Sequence, residues 1–267
     1  MVDKRYKLQS LDGHSEVIID RGELIGYRKD KEELIHQKGT PGWRNSDTEM
    51  FPIIGPTAAN DFIVHTDRGE AIQDQHGLLR ELEYVIVGKT ENSVDYQKTY
   101  QKDTKISNSK YPDKSTREKV FWPYSFEFKK KYQLSNNALT IQFEIKGEKG
   151  MPYMLGYHPA FKLSGNNTEI LKVKEKQIRL QEILDVGSIA YPALNAGQIT
   201  LFKTEGYHIS IKTKGFDNFM LWTEVPGMLC IEPITAYPYT GNNALDEHLF
   251  RHCDFIENFE VMIEAFC

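Results

Sequence analysis

Two titratable residues, a histidine and a glutamate, are each followed directly by a proline. They are His158 in Gly156-Tyr157-His158-Pro159-Ala160-Phe161 and Glu232 in Cys230-Ile231-Glu232-Pro233. Proline pushes the residue before it out of the α region, so we expect both on extended backbone, with His158 at a strand end. An imidazole titrates near neutral pH, which suits a general acid or base. A histidine that is merely hydrogen-bonded at a strand end would produce the same pattern.

Glu232 is flanked by apolar residues, Ile231 on one side and Pro233 on the other. Because burying a bare carboxylate is costly, this side chain must be paired, hydrogen-bonded or given a raised pKa. A raised pKa is what a general base working near pH 7 requires. A structural carboxylate that accepts backbone N–H groups explains the pattern equally well, and the residues alone leave both interpretations open.

Two earlier stretches place charged or polar side chains beside turn-forming residues. Gln75-His76-Gly77-Leu78-Leu79-Arg80 sets an imidazole next to a flexible glycine and adds a guanidinium. Arg44 and Trp43 precede the apolar turn Phe51-Pro52-Ile53-Ile54-Gly55-Pro56. Taken alone, these stretches are also what ordinary loops show. The sequence has no P-loop, dinucleotide fingerprint, CxxC or HExxH motif, and we therefore predict neither a metal nor a cofactor.

The composition excludes several classes of protein. The 267 residues carry 33 Lys and Arg against 38 Asp and Glu, and the net charge of −5 argues against a nucleic-acid partner. Mean hydropathy is −0.52, and no apolar run approaches the roughly 18 residues of a membrane helix. Three cysteines do not make a disulfide framework. With a charged start and no secretory signal, we expect a cytoplasmic protein without a membrane partner.

Apolar residues recur with a period of two rather than 3.6, which is typical of strands. The clearest case is a hairpin predicted over 126–134 and 138–145, with Ser135-Asn136-Asn137 as the turn. We also predict strands over 83–87, 208–212 and 260–265, and either a short helix or a strand over 32–36. The Lys-rich stretch 102–119 is predicted to be a long exposed hairpin or loop. The pattern favours one all-β domain over residues 1–267, a large antiparallel sandwich or barrel.

In order and spacing, these stretches resemble the aldose 1-epimerase (galactose mutarotase) superfamily, nearest its compact LacX-type branch. Four motifs carry the resemblance, Phe51-Pro52-Ile53-Ile54-Gly55, His76-Gly77-Leu78-Leu79-Arg80, Gly156-Tyr157-His158-Pro159-Ala160-Phe161 after Met151-Pro152, and Cys230-Ile231-Glu232-Pro233. It covers nearly the whole chain from about residue 20. The resemblance implies the galactose mutarotase-like β-sandwich, the supersandwich fold, with a monosaccharide in an open groove.

The resemblance also implies roles for individual residues. His158 would be the general acid, Glu232 the general base, and His76 a ligand of the sugar hydroxyls. Asp217 is the nearest match to a late acidic residue that helps to hold the sugar. Many members have an arginine shortly after the early glycine. This chain has Asn60 there instead, so Asn60, Arg44 or Arg80 would take over that contact.

The predicted reaction is the interconversion of the α and β anomers of a hexose by acid and base catalysis, which makes the protein an isomerase of carbohydrate metabolism. Trp43, Trp222 and Tyr237 could stack on the sugar, although each is also an ordinary core aromatic. A hexose 6-phosphate is the alternative substrate, with Arg44 and Arg80 at the groove edge. A sugar-binding protein without catalysis on the same fold is the alternative function. We expect a monomer or a homodimer.

Overall fold

The computed structural model describes residues 5–40, 48–239 and 245–267. The described residues contain one α-helix, α1 (Leu180–Asp185), and short 3-10 turns at Ala58–Asn60, Leu78–Glu81 and Glu247–Leu249. The strands, numbered in chain order, are β1 (Arg5–Gln9), β2 (Ser15–Asp20), β3 (Glu23–Lys29), β4 (Glu32–Glu33), β5 (Thr48–Met50), β6 (Ile63–Thr66), β7 (Gly69–Ile72), β8 (Val85–Lys89), β9 (Ser93–Tyr100), β10 (Ile106–Ser107), β11 (Lys119–Val120), β12 (Phe126–Leu134), β13 (Ala138–Gly147), β14 (Pro152–Tyr153), β15 (Gly156–His158), β16 (Ala160–Lys162), β17 (Ile170–Val173), β18 (Lys176–Arg179), β19 (Tyr191–Ala193), β20 (Gln198–Phe202), β21 (His208–Lys214), β22 (Asn218–Trp222), β23 (Met228–Ile234), β24 (Arg251–His252) and β25 (Ile256–Phe266).

Two large antiparallel sheets form the body of the molecule. One has nine strands in the order β18-β17-β20-β21-β25-β13-β12-β9-β8. The other has six strands, in the order β19-β22-β23-β15-β5 with β16 also paired to β23. A separate four-stranded sheet, β1-β2-β3-β4, comes from the start of the described chain. The antiparallel β-sandwich predicted from the sequence is therefore confirmed. In the described part of the chain, no helix is both long and apolar enough to span a membrane.

The hairpin of β12 and β13 shows how the sequence pattern builds the sandwich. Residues 126, 128, 130, 132 and 134 are buried, and the residues between them are exposed or half-buried. At the turn, Ser135 and Ala138 hydrogen-bond to each other through backbone and side chain. The buried faces meet across the core, where the ring of Phe143 lies 5.4 Å from that of Tyr157 on β15. The predicted hairpin is therefore confirmed.

Several other predicted elements can be compared with the structure. The strands expected over 208–212 and 260–265 are confirmed as parts of β21 and β25, and the one expected at 83–87 begins two residues later, as β8. The stretch 32–36 contains the short strand β4 rather than a helix. Helix α1 was not predicted, because its six residues are too short to show a helical period. The stretch 102–119 forms a long hairpin, in which residues 108–118 connect the paired strands β10 and β11, although Asn108 and Ser115 within it are buried.

A buried ion pair joins the inner faces of the two large sheets. Lys130 on β12 is fully buried and donates to Glu49 on β5, which also accepts a hydrogen bond from Tyr84 at 2.8 Å. Burial by itself would raise the pKa of Glu49, but Lys130 and then Lys98 outweigh it and hold this pKa below its ordinary value. Burial lowers the pKa of Lys98 to about 8. The carboxylate of Glu49 thus compensates two ammonium groups inside the sandwich.

Replacing Glu49 by glutamine tests this ion pair. The substitution keeps the shape of the side chain but leaves the ammonium group of Lys130 buried without its carboxylate. Breaking a buried pair in this way costs roughly 3–5 kcal/mol, so we expect a loss of that size in the free energy of unfolding measured in urea. Glu264→Gln, which breaks the partly exposed pair with Lys212, is the control and should cost roughly 0–1 kcal/mol. Equal losses in the two variants would contradict the role of Glu49.

Candidate active site

His158 and Glu232 lie side by side on neighbouring strands of the six-stranded sheet. β15 ends at His158, and β23 pairs with it at Gly156 and with β16 at Ala160, opposite Ile234 and Cys230 respectively. His158 therefore falls across from Glu232, and its Nε2 is 3.4 Å from Glu232 Oε1. Both side chains are buried, with 9% and 2% of their residue surface exposed. Two residues 74 positions apart in sequence thus form one acid–base pair.

Glu232 lies in the middle of β23 rather than at its end, although Pro233 follows it. Proline cannot donate a backbone hydrogen bond, so inside a sheet it needs a position where no bond is lost. The pairing of β23 with β15 and β16 is interrupted between Gly156 and Ala160, where the N–H groups of Ile231 and Thr235 donate to the carbonyls of Pro159 and Leu155. Pro233 faces that gap, which is why a strand interior tolerates it.

The pair lies on the outer face of its sheet, opposite the sandwich core. Along β23, Leu229 and Ile231 belong to the core between the large sheets. The alternate residues, Cys230 and Glu232 among them, point to the other face. The same alternation on β15 sends Tyr157 into the core and His158 outward. His158 and Glu232 are nevertheless buried on this face, and the ring of His76, from outside the sheet, lies against His158.

Burial controls the protonation of both groups. It lowers the pKa of His158 to about 4 and raises the pKa of Glu232 well above its ordinary value. Both shifts favour the uncharged forms, since charge is costly in a site with little water. Burial thus favours the uncharged form of each group, and the two lie 3.4 Å apart, close enough to exchange a proton.

Backbone hydrogen bonds between two sequence motifs, residues 51–55 and 76–80, bring His76 to the pair; we call this contact the interlock. The backbone N–H of Phe51 donates to the carbonyl of His76 at 3.1 Å, and the N–H of Leu79 donates to the carbonyl of Phe51 at 3.0 Å. The ring of His76 then lies 5.5 Å from that of His158, in an edge-to-face arrangement. Burial, followed by the charges of Arg80 and His158, lowers the pKa of His76 well below its ordinary value. His76 is thus a neutral imidazole beside the pair.

Gly77 is what allows the interlock to close. Its φ of +71° lies in the region that favours glycine, and a Cβ there would stand 2.2 Å from the carbonyl oxygen of Phe51. Backbone cannot move aside as the end of a flexible side chain can. The glycine after His76 is therefore required for the two motifs to pack.

Arg80 lies close enough to His158 to add to the effect of burial in lowering the pKa of that histidine, and two carboxylates balance the charge of its guanidinium group. It is largely buried and lies 3.4 Å from Asp74 and 3.7 Å from Glu81. The hairpin connection 108–118 is fastened to these carboxylates, because Asn108 donates to Asp74 and Ser109 donates to Glu81. The predicted exposed loop therefore contributes to the site. The serine and asparagine residues of this stretch are the sequence signal for such contacts, because their side chains commonly form hydrogen bonds in turns and loops.

Three aromatic residues lie at or near the site. Trp222 and Tyr237 were predicted only as side chains that could stack on a sugar, and Tyr239 was not predicted. The ring of Trp222 lies 6.2 Å from that of His158. Tyr239 hydrogen-bonds the side chain of Gln75, and burial, followed by the charge of Glu232, raises the pKa of Tyr239 to about 12. Tyr237 lies near the ring of Tyr239, but its hydroxyl donates to the carbonyl of Ala190. A lone aromatic in a sequence carries too little information to be assigned to a site.

Two predicted sugar ligands are engaged elsewhere among the described residues. The amide of Asn60 donates to the carbonyl of Ile63 on the surface. The carboxylate of Asp217 is exposed and accepts from Arg251 at 2.5 Å. Arg44, together with Trp43, lies outside the described residues.

Comparison with known proteins identifies the family. The sequence model for aldose 1-epimerase matches residues 59–233, which include His76, Arg80, His158 and Glu232. The chain belongs to the aldose 1-epimerase family. The chromosomal and plasmid LacX proteins of Lactococcus lactis subsp. lactis are both 26% identical over 148 residues. That region is 52% of this chain and 44% of LacX, so the match spans less than half of the LacX protein.

Solved structures show the same fold. A galactose mutarotase related enzyme from Lactobacillus acidophilus superposes with a TM-score of 0.80 at 17% identity, covering 98% of this chain and 97% of that one. A galactose mutarotase-like protein from Lactobacillus casei ATCC 334 superposes with a TM-score of 0.81 at 16% identity, covering 98% of this chain and 100% of that one. The galactose mutarotase-like β-sandwich expected from the resemblance is therefore confirmed.

Gly77→Ala tests whether the interlock positions the site. The added methyl group must displace the Phe51 carbonyl, so we expect a loss of stability clearly larger than the roughly 1 kcal/mol of an unfavourable backbone conformation alone. Gly187→Ala is a matched control, since its φ is +70° and nothing lies within 4 Å of the added Cβ. The measurement is urea denaturation of both variants. If both lose the same stability, the close approach at Phe51 is not a constraint.

Proposed function

We propose that this protein is an aldose 1-epimerase that interconverts the α and β anomers of a hexose. The observation that supports this most is the separation of 3.4 Å between His158 Nε2 and Glu232 Oε1 at one buried site. Opening a sugar ring requires one group to accept a proton and another to donate one. Membership of the aldose 1-epimerase family supports the same reaction.

The proposed reaction needs only proton transfers. The base removes the proton of the C1 hydroxyl, the bond between C1 and the ring oxygen breaks, and the acid protonates that oxygen. This gives the open-chain aldehyde. Rotation about C1–C2 presents the other face of the carbonyl, and the reverse transfers close the ring as the other anomer. No atom is gained or lost, and each catalytic partner contributes roughly 10²–10⁴-fold.

We assign the base to Glu232 and the acid to His158. Because burial favours a proton on Glu232 and a neutral imidazole, the reactive form arises when that proton crosses to His158. The sugar hydroxyls then hydrogen-bond the carboxylate. His76 and Arg80 would bind further hydroxyls, and Trp222 would contact the apolar face of the sugar.

A neutral hexose fits the site better than a hexose phosphate. The charge of Arg80 is already balanced by Asp74 and Glu81. The observation that favours a phosphorylated sugar is Lys110, which is close enough to Arg80 for burial and the arginine charge to lower its pKa. The rates with glucose, galactose and glucose 6-phosphate separate these substrates.

Glu232→Gln is the test of the proposed function. The amide keeps the shape of the side chain but cannot accept the proton, so we expect mutarotation to fall by about 10²-fold or more. Sugar affinity should change much less, because an amide still hydrogen-bonds a hydroxyl. Rate is measured by polarimetry on freshly dissolved sugar, affinity by calorimetry, and folding by melting temperature.

Glu175→Gln, at an exposed turn between β17 and β18, is the matched control and should keep the wild-type rate. Near-normal turnover by a folded Glu232→Gln protein would show that the base assignment is wrong. Sugar binding without mutarotation in the wild type would support the alternative, a sugar-binding protein on the same fold.

A further inference from the structure

A cysteine completes a triad of ligand atoms at the acid–base pair. Cys230 and Glu232 are two residues apart on β23, so their side chains project from the same face of the sheet. His158 reaches that face from β15. The sulfur of Cys230, a ring nitrogen of His158 and a carboxylate oxygen of Glu232 all lie within 4.8 Å of one another. All three residues are buried.

This donor set has the composition of a three-ligand zinc site. Zinc binds thiolate at about 2.3 Å and imidazole or carboxylate at roughly 2.0–2.2 Å, in tetrahedral geometry. Such bonds place ligand atoms roughly 3.3–3.8 Å apart. The separation of 3.4 Å between His158 Nε2 and Glu232 Oε1 falls in that range. The sulfur of Cys230 lies within 4.8 Å of a ring nitrogen and a carboxylate oxygen of these two residues, which is at most about 1 Å beyond that range.

Charge also fits a divalent ion. One thiolate and one carboxylate neutralise two positive charges, and the imidazole binds as a neutral ligand. The bound ion would therefore leave no net charge at a position where an uncompensated charge is costly. Among the described residues, no other group of three or more His, Cys, Asp and Glu side chains brings its ligand atoms together in this way.

We propose that His158, Cys230 and Glu232 form an inhibitory Zn²⁺ site in which the ion occupies both proton-transfer groups. Zinc would take the lone pair of the imidazole and the oxygen of the carboxylate, so neither could exchange a proton with a sugar. The inhibition rests on the proposed function, whereas metal binding does not. Cys230 supplies the metal affinity and takes no part in the sugar chemistry.

Cobalt serves as the spectroscopic probe of the site. Co²⁺ replaces zinc in thiolate-containing sites and gives a sulfur-to-metal charge-transfer band in the near ultraviolet. The EDTA-treated and dialysed protein should show this band on titration with one equivalent of Co²⁺, and Zn²⁺ should abolish it. Cys230→Ala should lack the band. Cys253→Ala, which removes another buried cysteine, is the matched control and should keep it.

Activity is the second readout. Zn²⁺ should stop mutarotation by the wild type, EDTA should restore it, and Cys230→Ala should keep the basal rate while needing at least tenfold more Zn²⁺ for half inhibition. The absence of a thiolate band in the wild type, or an unchanged band in folded Cys230→Ala, would overturn the proposal. A protein that binds cobalt through Cys230 but has no mutarotase activity would refute the proposed function and leave the metal site standing.

Discussion

The burial of a carboxyl group beside an imidazole is the constraint on which the account depends. Glu232 is buried in the interior of a strand, and its Oε1 lies 3.4 Å from Nε2 of His158. In water each group would hold or lose its proton independently. Away from water, burial favours the neutral form of both groups, so the protonation of one depends on the other.

The rest of the molecule supports this arrangement from both sides of one sheet. On the inner face, the ion pair of Lys130 with Glu49 ties β5 to the nine-stranded sheet, directly beside Tyr157. On the outer face, the interlock around Gly77 carries His76 to the pair. Lys98 adds a hydrogen bond to the carbonyl of Leu79 at 2.9 Å, which fixes the turn that bears Arg80. The contacts of Lys130 and Lys98, both buried, thus hold the segments that carry the site in place.

The sequence predicts the fold from local signals, whereas the pairing of His158 with Glu232 follows only from the resemblance to the aldose 1-epimerase superfamily. Alternation in 126–145 specifies a half-buried hairpin, and proline after His158 and Glu232 restricts their backbone. The remaining contacts of the site join residues that become neighbours only in the folded chain. No sequence pattern indicates that Asp74 balances Arg80 or that His158 meets both Cys230 and Glu232. The contact of Asp74 with Arg80 depends on how the loops around the sheet pack, and the approach of His158 to Cys230 and Glu232 depends on the pairing of distant strands.

The most direct test of the central claim is the mutarotation rate of the double variant His158→Asn/Glu232→Gln, compared with each single variant. If the two residues transfer protons in one concerted step, either single change disables the step, and the double variant should be at most about tenfold slower than the slower single variant. If the residues act independently, the losses multiply, and the double variant would fall by roughly 10⁴-fold or more. A multiplied loss would contradict the account.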